Sequence, residues 1–169
     1  MSIKAYAILT YILIPFALFF GVIDFILLVS ALANPSALIF VFIVACLVIY
    51  SFVTLKFLRT GLQREQTMAK SLKDWIKVNA FVSLFLCSLF VVNALSILFS
   101  SPATLNKLID AMIEQQPGFP QSIDNNMIIS IIKGFSVFLL IVGSIALIHI
   151  RTTFRYIKEY GYLLSLIHI

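Results

Sequence analysis

Three polar side chains in this sequence stand where hydrocarbon is expected. Asp24 lies within FFGVIDFILL, Asn93 within LFVVNALSIL and Lys133 within ISIIKGFSVF. A carboxylate and an ammonium inside apolar segments are expensive, at least about 2.5–3.5 kcal/mol each on insertion scales, and such residues commonly line an ion or proton path or pair with each other. An Asp and a Lys at one level can neutralise each other, and an Asn beside them can hydrogen-bond to either partner.

The depths match. At about 1.5 Å of rise per residue, Asp24 is about 12 Å inward from Leu32, Lys133 about 9 Å inward from Met127, and Asn93 about 9 Å inward from Phe99. The neighbours fit as well. Ala17, Gly21 and Asp24 recur at i, i+4 and i+7, and the Ala17/Gly21 pair lets another helix come close. Asn126, Ser130 and Lys133 share a helical face. The expectation is a packed Asp24–Asn93–Lys133 layer. The alternative is that each charge snorkels separately to the headgroups. A double-mutant cycle decides between them. Asp24→Asn or Lys133→Met alone should destabilise the protein, and the double change should recover part of the loss, because an orphaned charge costs more than a lost pair contributes. Additive effects in an unfolding titration would instead mean separate side chains.

The elements that must position these residues follow from composition. Of 169 residues, 62% are hydrophobic and only 11% charged, against about 25% charged in soluble domains. Mean hydropathy is +1.09. A soluble fold of this length has too little interior for so much apolar surface. Four runs are long enough to cross a bilayer as helix, with spans expected at 5–33, 37–58, 74–100 and 126–150. The fold class expected is therefore all-α, an integral membrane four-helix bundle forming one domain over 1–163.

Local signals support these limits. In ANPSAL, Asn34 suits a helix cap and Pro35 a first turn. Gly61 suits a helix end. SLKDW reads as a capping box, with Ser71 as cap and Asp74 three residues on, and Trp75 fits an interfacial anchor. Ser101 and Pro102 open another helix, which the PGFP of 117–120 should break. Leu105, Leu108, Ile109, Met112 and Ile113 form a helical stripe over about 102–115, a short amphipathic helix in the outer loop between spans three and four. A basic aromatic helix over about 151–160 follows span four, with His149 read as an interfacial polar residue just before it.

Ten of the twelve Lys and Arg residues fall at the N-terminus, between spans two and three, or after span four. That bias puts both termini in the cytoplasm. It also accounts for the net charge of +5 through anionic lipid, without a nucleic-acid partner. SALA before Asn34 resembles a signal-peptidase site, but the apolar stretch ahead of it is about twice the usual h-region and contains Asp24, so it is read as a span. The closing residues, 164–169, read LSLIHI, like translated adapter text, and are expected to be non-native.

Reaction motifs are lacking. Cys46 and Cys87 form no CxxC and fall in apolar runs, as small hydrophobes do. There is no HExxH, no GxSxG and no pair of carboxylates at one level. No catalytic residue, metal ligand or cofactor is expected. The layout and the LKDWIKVNA leading into span three resemble small multi-pass proteins of bacterial inner membranes, a resemblance that implies a location but no activity. The function expected is non-enzymatic association with lipid or with another membrane protein, a homo-oligomer included. The alternative is a small transporter or channel subunit with Asp24, Asn93 and Lys133 along its path.

Overall fold

The computed structural model describes residues 2–114 and 124–164. Among them the chain is helical, with no strand. The long helices are α1 (Ile3–Ala31), α2 (Leu38–Lys56), α3 (Lys70–Phe99) and α5 (Asn125–Glu159), with the shorter α4 (Pro102–Glu114) between α3 and α5. A 3-10 turn at Pro35–Ala37 leads into α2 and a π-helical turn at Phe57–Leu62 extends it. Four segments, Ile3–Ala31, Pro35–Leu62, Lys70–Phe99 and Asn125–Glu159, are long and apolar enough to cross a membrane.

The helix ends obey local chemistry. Ser2 caps α1 by accepting from the Ala5 N–H at 3.3 Å. The Asn34 side chain accepts from the Ser36 amide and hydroxyl at 3.3 and 2.7 Å, so the expected Asn-Pro corner is present. The Ser101 hydroxyl accepts from the Thr104 amide at 3.2 Å ahead of Pro102. Asp124 does the same for Asn126 at 3.0 Å, opening α5. One cap differs from expectation. α3 starts at Lys70, so Ser71 stands inside its first turn and not at the cap. Gly61 lies within the turn that ends the second segment. A Cβ there would meet Met68 Sδ at 3.0 Å and the Phe57 ring at 3.3 Å, so the residue is fixed by close packing.

Two compact units are formed, Met1–Cys87 with Ile145–Ile169, and Ser88–Ser144. The first contains α1, α2, the π-helical turn, the opening part of α3 and the closing part of α5. Its core gathers Tyr6, Tyr50, Phe57, Leu58, Leu62, Met68, Ile76, Ala80, Ile150, Tyr156 and Ile157. A backbone bond from Met68 N–H to Leu163 C=O, 2.8 Å, ties the α2–α3 connection to the turn at Gly161–Leu164. The second unit packs α4 through Leu105 and Ile109, both buried, while Lys107, Leu108 and Asp110 are exposed. The expected stripe is thus centred on Leu105 and Ile109, with Leu108 outside it.

Span four and the tail helix that continues it, read over the adjoining stretches 126–150 and 151–160, form one helix through Glu159. Its last turns are amphipathic: Thr152, Thr153, Tyr156 and Ile157 are buried while Arg151, Arg155 and Lys158 are exposed, and nothing in that pattern breaks a helix. The expected break at 117–120 and, apart from Leu164, the 164–169 stretch read as non-native fall outside the described residues.

Candidate polar site in the first unit

Each of three helices brings an i, i+4 pair of polar side chains to the centre of the first unit. α1 supplies Tyr6 and Thr10, α2 supplies Tyr50 and Thr54, and α5 supplies His149 and Thr153. Residues at that spacing lie one above the other on a helix. All six are at most 1% exposed.

His149 sits at the middle. Its Nδ1 is 2.7 Å from Tyr50 Oη and its Nε2 is 2.9 Å from Thr10 Oγ1. Its ring stacks on Tyr6, with centroids 4.7 Å apart and planes at 9°, and meets Tyr50 edge-on at 5.6 Å. Thr153 Oγ1 lies 3.0 Å from Tyr6 Oη and 2.9 Å from Tyr50 Oη. Two hydroxyls also return to the backbone: Thr10 donates to Tyr6 C=O at 2.8 Å, and Thr153 donates to His149 C=O at 2.9 Å. Thr54 likewise bonds back to Tyr50 C=O at 2.9 Å.

The hydrogens can be assigned from these partners. Thr10 has given its proton to a carbonyl, so it accepts from His149 Nε2–H. A neutral imidazole then has its lone pair on Nδ1, and Tyr50 donates to it. Tyr6 donates to Thr153. In that state the six contacts joining Tyr6, Thr10, Tyr50, His149 and Thr153 share five protons, and the Thr153 proton serves both the His149 carbonyl and the Tyr50 oxygen. Every polar atom of the group is engaged within the group. The arrangement therefore joins three helices. It aims no free nucleophile, base or ligand atom at an open space.

The residues singled out by type in the sequence stand elsewhere. Asp24 lies on α1 in the first unit and is partly buried. Its Oδ1 is buried and makes no hydrogen bond among the described residues. Asn93 on α3 and Lys133 on α5 belong to the second unit, the Asn exposed and the Lys partly buried. Among the described residues no group of three His, Cys, Asp or Glu side chains could hold a metal ion. Cys46 and Cys87 are free and buried. His149, expected at the interface, is instead fully enclosed. The missed signal was the three i, i+4 pairs of hydroxyl and imidazole groups in separate apolar helices. No protein-family model matches this chain, and no curated protein or solved structure matches it either.

Proposed function

We propose that this chain is a multi-pass protein of a bacterial inner membrane with both termini in the cytoplasm, acting without catalysis by association with lipid or with another membrane protein. The observation that carries the reading is the division of its polar and apolar groups. In the first unit the buried side chains of Tyr6, Thr10, Tyr50, His149 and Thr153 bond to one another. Its long helices meanwhile turn Phe25, Phe40, Phe42, Phe81 and Phe85 outward. A surface of this kind is costly in water and suited to lipid or to a partner's span. The basic bias of the sequence supports the orientation.

A second reading, a small transporter or channel subunit, is favoured by one observation: the buried carboxylate oxygen of Asp24, unpartnered among the described residues. Such an atom invites a proton or a small cation. Proteoliposome flux separates the two. Vesicles containing the purified chain and loaded with a pH- or cation-sensitive dye should leak no faster than empty ones. A flux that Asp24→Asn abolishes would replace the first reading by the second.

A further inference from the structure

Three lysines converge on one cleft of the first unit. Lys73 and Lys77 come from α3, one turn apart, and Lys158 from the end of α5. Together with Phe154, Ile157 and Gly161 they line a space of about 260 Å³, large beside the ~30 Å³ share of one water. Like charges at i, i+4 oppose each other on a helix, and a third ammonium adds to that repulsion. Among the described residues no carboxylate lines the cleft. The nearest acids in sequence do not line it: Asp74 lines a different hollow with Trp75, Val78 and Asn79, and Glu159 sits 3.9 Å from Arg155. Among the described residues, none of the three lysines forms an ion pair.

We propose that this cleft binds the phosphodiester headgroup of one anionic phospholipid of the phosphatidylglycerol type. The ligand must supply concentrated negative charge, which the three ammonium groups require and the described residues of the cleft do not provide. It must also tolerate an apolar wall, which Phe154 and Ile157 form and which suits a glycerol backbone and the start of an acyl chain better than a hydrated free ion. Gly161 leaves the floor open, since a Cβ there would meet nothing within 4 Å. Basic pockets between membrane helices on the cytoplasmic side take anionic headgroups. The site deepens the lipid-association reading and rests on it, naming the headgroup class and the residues that select it.

The test uses the full chain, purified in dodecyl maltoside micelles, with bound lipid counted by native mass spectrometry. Phosphatidylglycerol should bind saturably at one equivalent, and phosphatidylcholine should not. Each lysine near an anionic headgroup contributes about a factor of five in affinity. The variant Lys73→Gln/Lys77→Gln/Lys158→Gln should therefore weaken binding on the order of a hundredfold. A control removing the same charge elsewhere, Lys56→Gln/Arg64→Gln/Lys70→Gln, should stay within about threefold, as exposed charges do. If the cleft variant does not fold, Lys158→Glu alone should still weaken binding by about tenfold or more. Equal weakening by both triple sets, equal binding of phosphatidylcholine, or full competition by millimolar inorganic phosphate would overturn the proposal. Alkaline carbonate extraction separates this failure from a failure of the membrane reading. A chain retained in membranes but indifferent to headgroup sinks only the lipid site, whereas a chain extracted as soluble protein sinks both.

Discussion

Replacing His149 by Ala should cost about 3–5 kcal/mol of folding stability, the range for removing a large buried ring. The packing term dominates that figure. His149 is fully enclosed and stacked on Tyr6, so its removal opens a cavity among three helices. Hydrogen bonds contribute less, because bonds between membrane helices average only about 0.6 kcal/mol. The comparison variant is Tyr50→Phe, which keeps the ring and removes the hydroxyl that reaches both His149 and Thr153. It should cost about 1 kcal/mol, two bonds at that average. Equilibrium unfolding in mixed detergent micelles reads both. A His149→Ala loss no larger than the Tyr50→Phe loss would contradict the enclosed ring.

Phe85→Arg should cost about 2.5–3.5 kcal/mol of membrane insertion, the penalty for Arg near the middle of a spanning helix. Phe85 is 59% exposed and lies midway along α3. In a soluble protein, the same exposed position would accept Arg within about 0.5 kcal/mol. The two environments thus predict different outcomes for one substitution. Translocon-based insertion of α3, measured with glycosylation sites on either side, gives the number. Unchanged insertion efficiency would mean that Phe85 does not face hydrocarbon.

The apolar helices were legible because hydropathy over some twenty residues leaves little choice of structure. Their ends were read to within a few residues: 5–33 against Ile3–Ala31, and 74–100 against Lys70–Phe99. Asn34, Pro35 and Ser101 were legible because cap chemistry is local. At Ile150–Arg151 the helix changes character without a break. A run of apolar residues ends there, but the helix continues because the buried face passes to Thr152, Thr153, Tyr156 and Ile157.

The polar network, by contrast, was missed. Thr and Tyr in a helix are cheap in hydrocarbon beside Asp or Lys, and Thr10, Thr54 and Thr153 each bond to the carbonyl four residues back. A reading guided by the cost of charge therefore goes to Asp24 and Lys133 and passes over the hydroxyls. Their pairing within each helix is visible in the sequence. The convergence of three helices on His149 depends on packing, which sequence spacing alone does not specify.

The central claim is that the four long helices cross a bilayer with the α2–α3 connection on the cytoplasmic side. Its most direct test is single-cysteine labelling in a Cys46→Ala/Cys87→Ala background, with a membrane-impermeant maleimide applied to intact cells and to inverted vesicles. The account predicts that a cysteine replacing Gln66, which is exposed, reacts only in inverted vesicles, and that one replacing the exposed Ser101 reacts only in intact cells. Reaction of both positions from the same side, or of Gln66→Cys from outside the cell, would contradict it.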